Sequence, residues 1–483
     1  MHFGSSLRII GVILVIFSLW HLPPIAVSLY YNDGEFTAFG QALCLTMATG
    51  VSLWLLFYTQ RRELRVRDGF FVATLIWVVL ALFGTLPFVL STQADINFVD
   101  GFFETVSGLT TTGSTVLVGL DDMPKSILYY RSQLQFLGGM GIIILAVAIL
   151  PILGVGGLQL FRAEATGPVK DNKLTPRIKE TAKALWLVYI GLNVVCILSY
   201  WWAGMTLFDA ICYAFGTIST GGNAPYDASM GHYPEPRFLL IATFFMIMGG
   251  INFALHFTAF RNLNAKLYWS DKEAKTFILV FVALTVFCWL MLNYFQEDFS
   301  YFDNFFRAMF AVASIITTTG FSLEDLSYWP MFLGMLILFA GLIGACSGST
   351  SGGVKIIRAI IVAQQGKREL QKAIHPSGVF PLKFNKMLVS PTIVDAVWGF
   401  IAIYIIIFVI IFLALLATNL DMPSALSGTM SSLANVGPGL GMLGENYSLA
   451  DDAAKTIMSL AMLIGRLEIL TIVILFTPAF WRS

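Results

Sequence analysis

The sequence predicts an all-α polytopic membrane protein made of four tandem helix–loop–helix repeats preceded by two extra transmembrane helices. Three observations carry that prediction. Hydrophobic residues make up 57% of the 483-residue chain and charged residues only 12%, against about 25% charged in a typical soluble protein. Apolar runs of about 20 residues, the length that crosses about 30 Å of hydrocarbon, recur from end to end with short polar breaks. Between them a small polar block ending in glycine appears four times.

A soluble chain of this length would divide into two or three domains joined by polar linkers, and the bilayer fits this composition better as solvent. The formal net charge is zero and the pI is near 7.0, so no global field argues for nucleic acid or an acidic substrate. Cys44, Cys196, Cys212, Cys288 and Cys346 lie far apart in apolar surroundings without CxxC spacing. They read as small buried hydrophobes, not as a disulfide framework or a metal site. The first apolar run, Leu7 to Tyr30, is too long for a signal-peptide core and lacks a small-residue cleavage site, which makes it a retained transmembrane helix.

Ten spans are predicted, near residues 8–30, 37–58, 69–90, 132–153, 182–203, 238–259, 275–295, 330–353, 393–417 and 454–477. Basic residues cluster in alternate connections: Arg61, Arg62, Arg65 and Arg67; Arg162, Lys170, Lys173, Arg177 and Lys179; Arg261, Lys266, Lys272 and Lys275; Lys367, Arg368, Lys372, Lys383 and Lys386. By the positive-inside rule these connections are cytoplasmic. Acidic residues mark the others, at Asp121 and Asp122, Glu297 and Asp298, Glu324 and Asp325, and Asp451 and Asp452. Both termini are then expected inside the cell.

The outward-facing connections after the second span contain segments that are apolar but too short to cross, such as Phe98 to Leu117, the signature of a re-entrant half-helix and loop. Aligned on their last glycine, the four blocks are DGFFETVSGLTTTG to Gly113, DAICYAFGTISTGG to Gly222, RAMFAVASIITTTG to Gly320 and SALSGTMSSLANVG to Gly437. Such a repeat predicts four tandem helix–pore loop–helix units around a central pore. Its chemistry suits a dehydrated cation. Glycine permits the unusual backbone angles that let carbonyls replace a hydration shell. The residues before it, Thr110, Thr111 and Thr112, Ser219 and Thr220, and Thr317, Thr318 and Thr319, add uncharged hydroxyl oxygens. A short helix entering from outside directs the negative end of its dipole, about half a charge, at the same place. Two loops depart from the pattern: Gly221 follows Thr220, and Asn435 and Val436 precede Gly437. The ring is therefore expected to be irregular, with fewer tight ion sites than a symmetric K⁺ channel.

The helix after the third block starts near Pro330 and meets a glycine- and serine-rich stretch, Gly344 to Gly353, after about 15 residues, roughly 22 Å of rise. That falls short of the hydrocarbon thickness, so the break is expected inside the membrane, where irregular backbone is tolerated only against protein or a water-filled cavity. Ser347, Ser349, Thr350 and Ser351, with Gly348, Gly352 and Gly353, help to satisfy it. A glycine-rich cytoplasmic turn is the alternative, since Lys355 follows at once. Arg466 sits near the middle of the last apolar run, where a charge costs about 3 kcal/mol on insertion scales and faces the protein interior. On the pore wall it would be an electrostatic barrier to a cation; a salt bridge, for instance to Glu468, is the alternative.

With these features the chain resembles, over essentially its whole length, the TrkH-type ion-translocating subunit of the Trk/Ktr/HKT potassium-transporter superfamily. The resemblance implies that Gly113, Gly222, Gly320 and Gly437 line a K⁺ selectivity filter, that a serine at the first position would favour Na⁺, and that the 344–353 stretch is an intramembrane gating loop. It also implies a homodimer with one pore per subunit in a bacterial inner membrane. A cytoplasmic nucleotide-binding regulator of the TrkA type, binding NAD or ATP, would control the gate; the basic inner loops offer its docking surface. K⁺ would be the transported ion, with no organic cofactor and membrane lipid as surroundings. The expected units are two leading helices (1–67) and pore repeats at 68–160, 161–265, 266–390 and 391–483.

Gly439, Gly441 and Gly444 spell GxGxxG, but no strand precedes them, so dinucleotide binding is not expected. His2, His21, His232, His256 and His375 are scattered, and nothing clusters as nucleophile, acid–base pair or metal site. The expected activity is passive K⁺ uptake driven by membrane potential, since no P-loop is present. The alternative is a K⁺/H⁺ or K⁺/Na⁺ symporter working by alternating access.

Overall fold

The structure, a computed structural model, describes residues 3–60, 66–94, 96–148, 175–296, 299–385 and 387–481. Arg61, Arg62, Arg65, Arg162, Lys170, Lys173, Lys386, Glu297, Asp298 and residues 149–153 of the fourth predicted span lie outside the described residues.

Helices α1 (Phe3–Leu19) and α2 (Leu22–Tyr31) together make a 29-residue apolar span. Helix α3 (Phe36–Leu56) returns along α1. The two backbones approach closely because glycines face each other: a Cβ on Gly11 would stand 2.7 Å from the Trp54 nitrogen, and one on Gly50 2.9 Å from the Gly11 oxygen, the small-residue packing by which helices associate without a hydrophobic drive.

Four units follow. The first has α4 (Val66–Gly84) with its continuation α5 (Leu86–Leu90), the short helix α6 (Phe98–Leu109) and α7 (Lys125–Ala148). The second has α8 (Thr175–Ala203), the short α9 (Leu207–Ile218), and α10 (Pro236–Gly250) continued by α11 (Phe253–Asn262). After α12 (Lys266–Ser270) the third has α13 (Lys272–Phe295), the short α14 (Tyr301–Ile316), α15 (Met331–Ile343) and α16 (Ile356–Ile374). An antiparallel hairpin, β1 (Lys383–Phe384) and β2 (Met387–Leu388), leads to the fourth: α17 (Pro391–Leu416), the short α18 (Met422–Ala434), α19 (Asp452–Arg466) and α20 (Ile469–Val473), closed by α21 (Pro478–Trp481). Among the described residues that two-residue hairpin is the only departure from the all-α prediction.

Among the described residues, six helical spans are long and apolar enough to cross a membrane. Two predicted straight spans are bent instead. Residues 238–259 fold as α10 and α11 at 102°, and 454–477 as α19 and a following helical segment at 110°. The first bend follows Gly249 and Gly250, and Asn252 seals it by accepting from the Ala254 N–H at 2.8 Å. The second falls just after Arg466, where Glu468 takes φ +57°, a left-handed turn that a helix cannot continue through. The predicted span 330–353 stops as a helix at Ile343.

Lipid-facing positions invert the soluble pattern: α17 exposes Ile405, Ile406, Val409, Ile410 and Leu413, an apolar stripe facing away from the protein. Cys44 on α3 is exposed, contrary to the buried reading, because most of that helix's surface faces outward; the other four cysteines are buried. Each short helix packs against the helix that follows the short helix of the preceding repeat: α9 on α7, α14 on α10, α18 on α15, and α6 on α19. The final contact closes the circle, and four repeats surround one axis.

Candidate functional site

The residues around that axis are set by how the short helices begin and end. Three start on a capping side chain: Asn97 accepts from the Asp100 N–H at 2.8 Å, Thr206 from Asp209 at 3.1 Å and Ser300 from Asp303 at 3.1 Å. Each pairs an Asn, Thr or Ser cap with an Asp three residues on, which satisfies an orphan N–H and places a negative charge at the positive end of the dipole. The fourth starts at Asp421 without a side-chain cap bond. All four end at the axis, with Thr110, Ser219, Thr317 and Asn435 as their C-caps, so four helix C-termini, each carrying about half a negative charge, converge there.

Beyond the caps the loops share one backbone. Thr111, Thr220, Thr318 and Asn435 have φ of 52°, 52°, 56° and 55°, and two residues later Gly113, Gly222, Gly320 and Gly437 have φ of 85°, 78°, 84° and 107°. A β-branched threonine in the left-handed region is an outlier, and here it recurs in register three times. The irregularity expected of the fourth loop does not reach the backbone. Asn435 is the residue type that tolerates this conformation best after glycine, and its Nδ2 donates to Thr112 Oγ1 at 2.9 Å.

The glycines close the ring. A Cβ on Gly113 would overlap the Gly221 carbonyl oxygen, one on Gly222 that of Thr319, and one on Gly320 that of Val436; one on Gly437 would lie 2.6 Å from the Thr112 oxygen. Each glycine of one loop therefore receives the carbonyl that precedes the glycine of the next, in the order 1, 2, 3, 4 and back to 1. Alternating hands of φ along each loop turn successive carbonyls toward the same side. Those of Thr111, Thr220, Thr318, Asn435, Gly113, Gly222 and Gly320 accept no hydrogen bond from the described residues, although their residues are buried or nearly so. Leaving a buried polar group without a partner costs about 1–3 kcal/mol, so seven such oxygens around one axis form a site that needs a positive charge or water. The ring residues carry no carboxylate, which makes the site neutral and rich in oxygen.

Directly against the ring lies the 344–353 loop, not a peripheral turn. Thr350 Oγ1 receives a hydrogen bond from Thr220 Oγ1 at 3.2 Å, Ser351 Oγ meets Thr318 Oγ1 at 3.0 Å, and the Gly352 N–H donates to Thr318 Oγ1 at 2.7 Å. A Cβ on Gly352 would overlap the Ala434 oxygen. The loop thus touches the second, third and fourth ring segments, while the Thr111 hydroxyl is buried without a partner among the described residues. Gly344, Gly348 and Gly353 all have positive φ. The loop is pinned by the bend between α10 and α11, where the Cys346 N–H donates to Gly250 O and the Phe253 N–H to Gly348 O, both at 3.0 Å, and Ser349 Oγ donates back to Cys346 O at 2.5 Å.

Arg466, 6% exposed, ends α19 and donates through Nη1 to Thr350 O at 2.7 Å, while its Nε and Nη2 are buried without partners among the described residues. Among the described residues Glu468 pairs not with it but with Arg358, at 3.1 Å. Two loop-holding residues had no sequence signal of their own. Glu273, in the first turn of α13, accepts the Ser347 N–H at 2.7 Å, and Lys355 folds back on Ser351 O and Ser349 Oγ.

Comparison with known proteins places this architecture. The TrkH family model, described as cation transport protein, matches residues 36–483. The chain belongs to the TrkH family. The Trk system potassium uptake protein TrkH of Vibrio parahaemolyticus is 46% identical over 485 residues, covering 100% of both chains, and that of Escherichia coli K12 is 45% identical with the same coverage. The Trk system potassium uptake protein TrkG of Escherichia coli K12 is 33% identical, covering 98% of this chain and 97% of its own. The crystal structure of the potassium transporter TrkH from Vibrio parahaemolyticus superposes with a TM-score of 0.93 at 44% identity, with all of both chains covered.

Sequence reading missed the polar braces behind the ring of this TrkH-family chain. Glu104 on α6 and Arg131 on α7 form a buried pair at 2.6 Å; Glu104 also accepts the Val116 N–H at 3.2 Å, and Arg131 donates to Ala224 O at 3.1 Å. Arg307 bonds both carboxylate oxygens of Glu324 at 2.8 Å, and Lys455 meets Asp100 at 2.6 Å across the join between repeats 4 and 1. The Asn, Thr or Ser caps with Asp three residues on were a legible signal for where the short helices begin.

Proposed function

We propose that this chain is a potassium uptake protein: the K⁺-conducting transmembrane subunit of a Trk-type system, passing the ion passively down the membrane potential. The observation that carries the proposal is the closed ring of four glycine loops, with its unbonded carbonyls and four convergent helix C-termini. Carbonyl oxygens replace the hydration shell of a weakly hydrated monovalent cation, and the helix dipoles attract it without a fixed carboxylate that would hold a divalent ion. In this reading Thr110 to Gly113, Ser219 to Gly222, Thr317 to Gly320 and Asn435 to Gly437 form the filter. The 344–353 loop and Arg466 form the gate: the loop obstructs the path below three filter segments, and the guanidinium adds a repulsive charge. The pore repeats divide at about 68, 161, 266 and 391, with 1–67 as leading helices. The names of the relatives, as parts of a Trk system, support a role beside other components. We assign the chain to a homodimer in a bacterial inner membrane with both termini in the cytoplasm. A nucleotide-binding regulator would dock on the basic cytoplasmic connections.

The test is rubidium-86 uptake into liposomes holding the purified protein, with K⁺ or Na⁺ as competitor. Uptake suppressed by K⁺ and not by equal Na⁺ is expected. Uptake equally suppressed by both overturns the K⁺ assignment. Absent uptake that deletion of residues 344–353 does not restore overturns the pore itself.

A further inference from the structure

The second filter segment departs from the first and third at two positions, and one side chain lies against both. Six residues before the ring glycine, three loops carry a serine: Ser107, Ser314 and Ser431. Each braces its own loop. Ser107 Oγ donates to Ser114 O at 2.6 Å, Ser314 Oγ to Phe321 O at 2.6 Å, and Ser431 Oγ accepts the Gly437 N–H at 2.9 Å. The second loop has Gly216 in that place and Gly221 where the first and third have Thr112 and Thr319.

Gln135 of α7 lies against both glycines. A Cβ on Gly216 would come within 2.9 Å of the Phe321 ring, 3.0 Å of Asn223 O and 3.2 Å of Gln135 Oε1, and one on Gly221 within 2.5 Å of the Gln135 Cδ. The amide braces the same stretch of backbone through other groups: Nε2 donates to Gly221 O at 2.6 Å and Oε1 accepts the Asn223 N–H at 2.9 Å. Gly221 O is the carbonyl that faces Gly113, so the brace acts on the contact between segments 1 and 2.

No other repeat needs such a side chain, and two plainly lack it. Gly138, Gly249 and Gly465 each lie against the carbonyl four residues before their repeat's ring glycine, namely those of Leu109, Ile218 and Leu433. Counting back three residues from each places Gln135 where the second and fourth repeats have Met246 and Met462, both fully buried.

We infer that Gln135 is a positioning residue for ion selectivity, an amide from the first repeat that sets the second filter segment in place of that segment's missing serine. The inference rests on the filter reading above. It makes selectivity depend on a buried side chain outside all four loops.

The measurement is the K⁺ over Na⁺ competition ratio in rubidium uptake, read beside folded yield and thermal unfolding of each variant. Gln135→Met keeps the volume and copies the residue type of repeats 2 and 4, so packing alone predicts no change. The ratio is expected to fall about fivefold, the worth of one net hydrogen bond, with folding retained. Gln135→Ala should fall likewise, and adding Gly216→Ser to it should raise the ratio again by rebuilding the internal brace of loops 1 and 3. A wild-type ratio in Gln135→Met overturns the inference. If Gln135→Met does not fold, the Gln135→Ala/Gly216→Ser protein decides: a ratio above that of Gln135→Ala alone supports the assignment, and an equal one overturns it. Gly113→Ser, measured in parallel, separates the two levels. If it shifts the ratio and Gln135→Met does not, only this inference fails; if neither shifts it, the filter reading fails.

Discussion

Gly113→Ser tests the ring most directly because two separate costs meet at one atom. With φ at +85°, any Cβ incurs the left-handed penalty, and the same Cβ overlaps the Gly221 carbonyl of the next segment. That carbonyl has little freedom to retreat, since Gln135 Nε2 holds it at 2.6 Å. The conformational term is about 1–2 kcal/mol and the overpacking term about 1–3 kcal/mol, roughly 2–5 kcal/mol together. This strain is the ceiling on what the substitution can take from ion discrimination, because relaxation must displace the oxygens of segments 1 and 2 from their K⁺-fitting positions. A tenfold fall in the K⁺ to Na⁺ ratio needs only about 1.4 kcal/mol of it. In proteoliposomes the variant should take up rubidium with Na⁺ competing about tenfold better than against wild type, while folded yield falls modestly. An unchanged ratio in a folded protein would refute the claim that this contact shapes the ion site.

Arg466→Ala removes the bond to Thr350 O and a cation whose Nε and Nη2 have no partner among the described residues; basal rubidium uptake should rise several-fold, and an unaltered rate would count against the gate. The same variant should speed thiol labelling of Cys346, 1% exposed within that loop, in a background where the exposed Cys44 is replaced. Glu104→Ala leaves Arg131 charged and buried without its carboxylate, a loss of about 3–5 kcal/mol; thermal unfolding in detergent should show a markedly lower midpoint, and an unshifted one would mean that water reaches the site.

The spans, the four-block register and the break after Ile343 were legible because each is written in local sequence: length of apolar run, spacing to glycine, and small polar residues where a helix should continue. The bends at Ile251 and Leu467 were not. Both flanks of each bend are apolar, so hydropathy runs through them, and only Asn252 as a cap and the left-handed Glu468 stop the helix. Gln135 was illegible for another reason. Its reach to Gly221 spans 86 residues, and Gly221 reads as an irregularity of loop 2 until the side chain that lies against it is known. Glu273 and Lys355 likewise sit among cytoplasmic charges by sequence and touch the loop only through the fold.

Thr318 joins the strain of the ring to the loop beneath it. Its φ of +56° is held against the preference of a β-branched residue, and its hydroxyl accepts the Gly352 N–H at 2.7 Å and meets Ser351 Oγ at 3.0 Å. Thr318→Gly separates these roles. Relief of the left-handed penalty contributes about 1–2 kcal/mol, glycine's added chain entropy takes back about 0.5–1 kcal/mol, and two lost hydrogen bonds cost about 0.5–1.5 kcal/mol each. At the middle of these ranges the terms leave a net cost of about 1 kcal/mol, so the unfolding midpoint should fall only slightly. The loop, however, loses both of its hydrogen bonds to the third segment, and basal uptake should rise while the unfolding midpoint stays close to wild type. A variant equally stable and equally closed would show that the bonds at Thr318 shape the ring alone, and that the loop is held by Arg466 and Glu273 without it.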